Sequence, residues 1–375
     1  MIARIFKLPD LVKKQKVLVI YGPRRSGKTT LINQFLSNTF LKYKLDSGDN
    51  IRTRQILGSQ DFGLINTYAE GYELLVIDEA QQIKNIGKGL KILIDNNPDL
   101  QVIVTGSSSF DLSQQIGEPL TGRKRTIYLY PFAQEELLGK FNKYELKEKL
   151  EDFLIFGSYP EVVTSEKRSD KIEILDELVN SYLLKDILAV ENIRGSKTLF
   201  DLVKLLAFQI GNEVSLNELA VQLKIDVKTV GRYIDILEKG FVIKRLSAFS
   251  RNLRNEIAKK SKYYFWDNGI RNGVILQFNP LNLRNDVGQL FENFMMLERT
   301  KFLSNNFIHA QSYFWRTYEG WEIDLVEERE GNLSAVEFKF SANARVNPPK
   351  NFLAKYDNSG FVHYNSQNYL EFISK

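Results

Sequence analysis

The chain of 375 residues is 43% hydrophobic and 26% charged, which is ordinary for a folded protein and long enough for two or three domains. It has no cysteine and only 2 histidines, His309 and His363, which excludes disulfide frameworks, Cys/His zinc sites, iron–sulfur clusters and cysteine nucleophiles. No stretch approaches the roughly 18 apolar residues of a membrane span, and the first residues lack the apolar core of a signal peptide. The sequence therefore predicts a cytoplasmic protein with no membrane partner. The net charge of +5 is small, and its basic excess lies in residues 1–140 and 201–270.

A glycine-rich loop joins the first predicted strand, residues 16–21, to a predicted helix at residues 29–35. The loop matches G-x-x-x-x-G-K-[ST], a pattern in which backbone N–H groups wrap the phosphates of a nucleotide at a helix N-terminus. In this pattern Lys28 reaches the β- and γ-phosphates and Thr29 ligates magnesium. The sequence thus predicts ATP and Mg²⁺ as cofactors. The predicted cofactor-binding residues are Gly22, Pro23, Arg24, Arg25, Ser26, Gly27, Lys28, Thr29 and Thr30.

An apolar strand that ends in two carboxylates supplies the second half of such a site. We expect Asp78 to hold the magnesium ion through water and Glu79 to polarise the attacking water. A third apolar strand, residues 101–105, runs into serines, of which Ser107 is the candidate sensor of the γ-phosphate and Ser108 the alternative. We expect this third strand to lie between the two strands that carry the nucleotide-binding residues. That arrangement, with this order of polar residues, is typical of the hydrolytic branch of P-loop ATPases.

An arginine before the strand-like segment 126–130 is the candidate for completing the ATP site. Arg123 is the predicted arginine finger, supplied by the same chain or by a neighbouring subunit, and Arg125 is the alternative. The second possibility requires a homo-oligomer. The predicted catalytic residues are therefore Lys28, Glu79, Ser107 and Arg123.

The middle of the chain predicts helices. Residues 136–200 form a predicted helical connector, and two short helices within residues 215–240, followed by a strand, predict a winged helix-turn-helix. The outward side of the second helix carries the DNA-contact candidates Lys228, Thr229 and Arg232, with Tyr233 as a further one.

A dense basic run, residues 241–262, follows these helices and strengthens the prediction of DNA contact. The run contains seven basic residues and one glutamate, and Lys262 is the last of the basic residues. The alternative is that the helices pack internally or dock a protein partner and that the basic run is a solvated surface.

Near the C-terminus, two alternating strands joined through Glu330-Gly-Asn predict a hairpin. Glu337 and Lys339 share one face of the second strand, and the hairpin is able to bring Asp324 opposite. Two carboxylates on a divalent cation, with an ammonium beside the attacking water, suit phosphodiester hydrolysis. Glu292, on a preceding helix, is a candidate third metal ligand. The alternative is an ordinary half-polar strand face.

Taken together, these motifs resemble a family of bacterial and archaeal AAA-like P-loop ATPases whose C-terminal half is a domain of unknown function related to the PD-(D/E)XK nuclease fold. The resemblance covers nearly the whole chain. Its motifs are Tyr21-Gly-Pro-Arg-Arg-Ser-Gly-Lys-Thr-Thr30, Val76-Ile-Asp-Glu-Ala80, Val104-Thr-Gly-Ser-Ser108, Phe156-Gly-Ser-Tyr-Pro-Glu161, Tyr182-Leu-Leu-Lys-Asp186, Lys262-Tyr-Tyr-Phe-Trp-Asp267, Gly288-Gln-Leu-Phe-Glu292, Glu322-Ile-Asp324 and Val336-Glu-Phe-Lys339. It assigns Asp324, Glu337 and Lys339 to the nuclease motif, although Ile323 stands where that motif has proline.

The fold class predicted is α/β, with a parallel P-loop sheet, a helical connector with a winged helix-turn-helix, and a restriction-endonuclease-like C-terminal domain. The predicted boundaries are 1–135, 136–200, 201–270 and 271–375. The predicted function is a magnesium-dependent ATPase that couples ATP binding and hydrolysis to DNA binding, and the sequence leaves open whether the nuclease-like site also cleaves DNA. The alternative function is a nucleotide-dependent switch or assembly protein that docks protein partners and cleaves nothing.

Overall fold

The computed structural model describes residues 2–107, 116–117, 119–180, 196–249, 261–317 and 319–374. They form two compact units. The N-terminal unit comprises residues 4–131 and 239–241, and the C-terminal unit comprises residues 132–238 and 242–375 together with residues 1–3.

The N-terminal unit consists of a sheet flanked by short helices. Its helices are α1 (Leu8–Leu11), α2 (Lys28–Leu36), α3 (Ile51–Gly58), α4 (Phe62–Ala69) and α5 (Ile86–Asn96). Its strands are β1 (Val17–Tyr21), β2 (Tyr43–Ser47), β3 (Leu74–Asp78), β4 (Gln101–Gly106) and β5 (Lys124–Tyr128).

The five strands are parallel and follow the order β2-β3-β4-β1-β5. β1 is buried along its whole length, as expected for a parallel strand covered on both faces. Leu18 and Ile20 pack with Val76, Ile103 and Ile127 in one apolar core. β4 pairs with both β1 and β3, so the predicted strand between the two nucleotide strands is confirmed. Because the strands are parallel, their carboxyl ends lie along one edge of the sheet.

The C-terminal unit combines many helices with a second sheet. Its helices are α6 (Gln134–Leu137), α7 (Lys143–Glu148), α8 (Leu150–Phe156), α9 (Pro160–Thr164), α10 (Arg168–Leu178), α11 (Ser196–Phe208), α12 (Leu216–Leu223), α13 (Val227–Lys239), α14 (Asn268–Val274), α15 (Val287–Asn305), α16 (Lys350–Lys355) and α17 (Leu370–Ile373). Its strands are β6 (Glu213–Val214), β7 (Ile243–Ala248), β8 (Ser261–Phe265), β9 (Gln311–Arg316), β10 (Glu322–Arg329), β11 (Asn332–Phe338) and β12 (Ser359–Tyr364).

The second sheet has seven strands in the order β12-β11-β10-β9-β7-β8-β6. β11 and β12 are parallel, and β9, β10 and β11 are antiparallel neighbours. The predicted hairpin joins β10 to β11, and its turn residues Glu330 and Gly331 have φ angles of 52° and 81°. Two successive positive φ angles are typical of the tight hairpin turns that match strand twist.

Apart from residues 239–241, the three blocks predicted at 136–200, 201–270 and 271–375 lie in one compact unit. The physical reason is that β7 pairs with β8 along its first residues and with β9 through Ser247 and Ala248. Buried Asp267 adds a second link, since its carboxylate accepts hydrogen bonds from the backbone N–H groups of Ser158, at 2.7 Å, and Ile270, at 3.1 Å.

A buried charge network fixes the start of α15. The Asp286 carboxylate accepts from the guanidinium of Arg271 at 2.6 Å and from that of Arg284 at 2.8 Å, and both arginine side chains are almost fully buried. These two guanidinium groups hold the pKa of Asp286 below its ordinary value, against the opposing effect of burial. The ionised carboxylate is therefore favoured by folding.

We expect Asp286→Asn to lower the free energy of unfolding by about 2 kcal/mol at pH 7, because two buried guanidinium groups lose their counter-ion. Because the pKa of Asp286 is lowered in the folded protein, the stabilisation that Asp286 contributes decreases as the pH falls. The stabilisation is complete above the unfolded pKa of about 3.9 and is lost as the pH falls below it. Urea unfolding of both proteins from pH 7 to pH 3.5 measures this, with the exposed Asp357→Asn as control. A difference that stays constant with pH would contradict the assignment.

Candidate functional site

The glycine-rich loop leaves the carboxyl end of β1 and enters α2. A side chain at Gly22 would place Cβ 2.1 Å from the backbone oxygen of Leu129, so this position accepts only glycine. Gly27 has a φ of 94° and immediately precedes α2, which begins at Lys28. The loop therefore directs the N-terminus of α2 toward the carboxyl edge of the sheet, as a phosphate-binding site requires.

Lys28 is turned into the loop. It is 5% exposed, and its ammonium donates to the backbone oxygens of Gly22 at 2.8 Å and Pro23 at 3.0 Å. Burial lowers the pKa of Lys28 to about 8, although Glu79 and Asp78 act in the opposite direction. The phosphates of a nucleotide would favour the charged form again, so this lysine fits its predicted role. Ser26 also fits, since its hydroxyl is fully buried and has no protein partner.

Asp78 gathers hydroxyl groups around the predicted magnesium position. Its Oδ2 accepts from the Thr29 hydroxyl at 3.0 Å, and its Oδ1 accepts from the Thr105 hydroxyl and from the Glu79 N–H. A hydroxyl and a carboxylate in contact are the oxygen donors that P-loop proteins use for Mg²⁺. The structure thus brings the two predicted ligands, Thr29 and Asp78, together.

Glu79 and Ser107 are joined through a residue that the sequence analysis did not identify. The side-chain amide of Gln81 donates to a carboxylate oxygen of Glu79 and, at 3.0 Å, to the Ser107 hydroxyl. Its own oxygen is buried without a partner. Gln81 therefore links the predicted catalytic base to the predicted γ-phosphate sensor. Ser108, the alternative sensor, lies outside the described residues.

Arg123 does not lie near its own phosphate loop. It comes just before β5, and its backbone oxygen accepts from the N–H of Val17, the first residue of β1. The loop leaves the other end of β1, which at about 3.3 Å per residue is roughly 16 Å away. The Arg123 guanidinium is paired with Asp95 of α5. The structure thus contradicts the finger role within one chain; the role toward a neighbouring subunit stays a prediction.

Arg125 is subject to the same constraint. It is the second residue of β5, opposite Leu18 of β1, and its guanidinium contacts the backbone oxygen of Asp10 at 3.5 Å. The predicted strand 126–130 is displaced by two residues in the structure, to Lys124–Tyr128. Because β5 is parallel to β1, both arginines lie toward the amino edge of the sheet, whichever of the two boundaries β5 has.

The predicted DNA-contact helix is α13, whose inner face buries Val230, Ile234 and Leu237. Lys228 and Arg232 are exposed as predicted. The Asp226 carboxylate caps the helix by accepting from the backbone N–H of Thr229 at 2.9 Å, and the Thr229 hydroxyl donates to the same carboxylate at 2.6 Å. Tyr233 was predicted to face outward, but it is buried, because it follows Arg232 by about 100° around the helix and turns toward the core.

The basic run 241–262 is less free than its composition indicates. Arg245 pairs with Asp235 at 2.8 Å and with Glu238 at 3.2 Å. Lys262 is buried among carboxylates, so it is not part of a solvated surface. Arg251, Arg254, Lys259 and Lys260 lie outside the described residues.

A cluster of four carboxylates, which we call the acidic cluster, lies in the C-terminal unit. Its members are Glu292 of α15, Glu322 and Asp324 of β10, and Glu337 of β11. The register of the hairpin, Leu325 opposite Val336, places Asp324 opposite Glu337, as the sequence predicts. Lys339 follows β11 and donates to Glu337 at 2.6 Å. Among the residues that the structure describes, no three His, Asp or Glu side chains lie close enough together to hold a metal ion.

Two residues of β8 complete the acidic cluster and were not foreseen in this role. The Lys262 ammonium pairs with Glu322 at 2.6 Å and with Glu292 at 3.3 Å, and the Tyr264 hydroxyl donates to Glu292 at 2.7 Å. The sequence pattern places Lys262 in the basic run and Tyr264 only within the motif of residues 262–267. Their alternation along a strand signals a shared face, but the sequence does not say what that face contacts.

The chain is similar to known families over three segments. Residues 14–138 match a family described as AAA domain, and residues 147–282 and 287–374 match two domains of unknown function, DUF8612 and DUF4143. The chain therefore carries an AAA-type P-loop ATPase domain. Among the described residues, no helix is long and apolar enough to cross a membrane.

Relatives occur in archaea and bacteria. The chain is 26% identical over 334 residues to the uncharacterized protein MJ1544 of Methanocaldococcus jannaschii, a match that covers 83% of this chain and 72% of that protein. It is 24% identical over 343 residues to the uncharacterized protein Rv2008c of Mycobacterium tuberculosis, with 91% and 74% covered.

Among solved structures, the chain is similar to the Signal Transduction ATPase with Numerous Domains protein PH0952 of Pyrococcus horikoshii, which has a tetratricopeptide repeat sensor. The identity is 14%, the TM-score is 0.29, and the match covers 77% of this chain and 44% of that one. The chain thus spans less than half of that structure, and a TM-score this low carries no argument.

We expect Gln81→Ala to lower the kcat of ATP hydrolysis at least tenfold with little change in nucleotide affinity, because Glu79 loses the group that positions it. The neighbouring exposed Gln82→Ala is the matched control. Steady-state kinetics and equilibrium binding of ATP separate the two effects. An equal loss of affinity and kcat would show that Gln81 only maintains the fold of the loop.

Proposed function

We propose that this protein is a magnesium-dependent ATPase that couples ATP binding and hydrolysis to DNA binding. The observation that carries the ATPase half is the continuous polar network at the carboxyl edge of the first sheet. It runs from Thr29 through Asp78 and Thr105 to Glu79, and from Glu79 through Gln81 to Ser107. Each residue predicted to act in catalysis or magnesium binding at the ATP site, except the arginine finger, is either a member of this network or Lys28.

The residues divide the chemistry among themselves. The N-terminus of α2 and Lys28 bind and orient the phosphates, and Thr29 and Asp78 hold the magnesium ion. When bound, Mg²⁺ neutralises charge on the β- and γ-phosphates. Glu79 accepts a proton from the attacking water, and Ser107 contacts the γ-phosphate. Gln81 keeps the base and the sensor at a fixed separation.

We expect Lys28→Ala to abolish ATP turnover and Glu79→Gln to lower turnover at least a hundredfold while ATP binding persists, because the first variant loses phosphate binding and the second only the base. The exposed Lys88→Ala on α5 is the control. Phosphate release and ATP binding, measured with and without Mg²⁺ and duplex DNA, test both. Unchanged hydrolysis in Lys28→Ala would overturn the assignment.

Two helices and three short strands support the DNA half. α12 and α13 are joined by a short turn and followed by β7 and β8, and β8 also pairs with β6, which precedes α12. This order of elements supports the winged helix-turn-helix that the sequence predicts. Lys228 and Arg232 lie in the first half of α13, where a recognition helix presents side chains to the major groove.

The C-terminal segment supports the nuclease-like fold that the resemblance implies. Helix α15 is followed by β9, β10 and β11 as antiparallel neighbours, then by α16 and by β12, which is parallel to β11. We propose this fold as a framework for nucleic-acid contact and not, by itself, as proof of cleavage.

We expect duplex DNA to bind with an affinity that falls steeply with salt, because phosphate contacts release counter-ions. Lys228→Ala and Arg232→Ala should each weaken binding and reduce the slope of log affinity against log salt concentration by about 1 if each contacts one phosphate. Lys239→Ala, at the other end of α13, is the matched control. The absence of binding at low salt would favour the alternative, a nucleotide-dependent switch or assembly protein.

A further inference from the structure

We propose that Lys262 is the resident cation of the acidic cluster and that this cluster takes no divalent metal ion. The proposal goes beyond the ATPase function and departs from the sequence-based prediction that Glu292, Asp324 and Glu337 ligate magnesium. It concerns the residues of the C-terminal unit alone.

The position of the Lys262 ammonium is the first observation. The side chain is 1% exposed, and the nitrogen lies 2.6 Å from Glu322 and 3.3 Å from Glu292. The ring of Phe314 covers it at 5.6 Å from the ring centroid. Lys262 reaches the cluster from β8, a strand held in the sheet on both sides by β6 and β7. The ammonium therefore lies between Glu322 and Glu292, shielded from solvent.

The hydrogen bonds of the predicted ligands are the second observation. Oε1 of Glu292 accepts from both Lys262 and the Tyr264 hydroxyl. Oδ2 of Asp324 accepts from the backbone N–H of Phe338 at 2.8 Å, and Oε1 of Glu337 accepts from Lys339 at 2.6 Å. Each of the three predicted metal ligands thus already has a donor from the protein.

A divalent ion does not fit this arrangement. Mg²⁺ requires oxygen ligands at about 2.0–2.1 Å in nearly octahedral order and keeps several waters. One oxygen of each predicted ligand already accepts a hydrogen bond from the protein. A divalent cation would also stand beside the buried Lys262 ammonium, with little solvent to screen the repulsion. With the Lys262 ammonium in place, no three of the described His, Asp or Glu side chains lie close enough together to hold a metal ion.

The charge balance agrees with this geometry. Two ammonium groups, Lys262 and Lys339, face four carboxylates. Burial, together with Glu292 and Glu337, raises the pKa of Asp324 well above its ordinary value. The cluster then stabilises the junction of β8, α15 and β10 and does not hydrolyse phosphodiesters with a metal ion.

Manganese binding to the nucleotide-free full chain tests the proposal, with free Mn²⁺ followed by electron paramagnetic resonance. All variants carry Asp78→Asn, which removes the phosphate-loop ligand. We expect the Asp78→Asn protein and its Asp324→Asn derivative to bind Mn²⁺ equally weakly. Lys262→Met should gain one ion per chain with at least tenfold higher affinity, and adding Asp324→Asn should remove it. Lys244→Met, on the adjacent strand β7, is the matched control and should gain nothing.

Three outcomes would overturn the proposal. The first is stoichiometric Mn²⁺ binding by the Asp78→Asn protein that Asp324→Asn abolishes. The second is a folded Lys262→Met variant that gains no ion. The third is magnesium-dependent nicking of DNA by the unaltered protein that disappears in Asp324→Asn. If Lys262→Met does not fold, the comparisons with Asp324→Asn still decide. ATP hydrolysis is measured separately, so either proposal is able to fail alone.

Discussion

The parallel alignment of β1, β3, β4 and β5 is the constraint on which the ATP site depends. Parallel strands end along the same edge of a sheet, and here the residues that follow β1, β3 and β4 are the glycine-rich loop, Glu79 and Ser107. No single strand carries the chemistry. If β4 did not lie between β1 and β3, Thr105 would be unable to contact Asp78, and Ser107 would be unable to reach Glu79 through Gln81.

Local patterns in the sequence were sufficient for the elements and for most of this site. The glycine loop, the apolar strands and the carboxylate pair have spacings that few other structures produce, so their positions were predictable. Arg123 shows the limit of such reasoning. Its distance along the chain from the loop says nothing about which edge of the sheet it occupies, and the parallel pairing of β5 with β1 decides that question.

The basic run shows a second limit. In the sequence, Lys262 is one of several neighbouring basic residues. Successive side chains of a strand point to opposite faces of the sheet, however, and the residues that each face contacts come from distant segments. Lys262 meets carboxylates of α15 and β10, while Arg245 meets carboxylates of α13. The apparent electrostatic footprint of residues 241–262 is therefore partly internal, and the DNA-binding prediction rests chiefly on Lys228 and Arg232. The pairing of β7 with β9, which joins segments predicted as separate blocks, likewise has no local signature in the sequence.

The contact between Gly22 and Leu129 has a mechanical consequence. The first glycine of the phosphate loop packs against the peptide of Leu129, whose N–H also donates to the backbone oxygen of Tyr21 at 2.7 Å. Two residues later, at Pro131, the chain leaves the N-terminal unit. The backbone segment that contacts the loop is thus the segment that continues from the N-terminal unit into the next part of the chain. A substitution that displaces the backbone of Leu129 therefore also displaces the first residue of the phosphate loop, although the two residues lie far apart in the sequence.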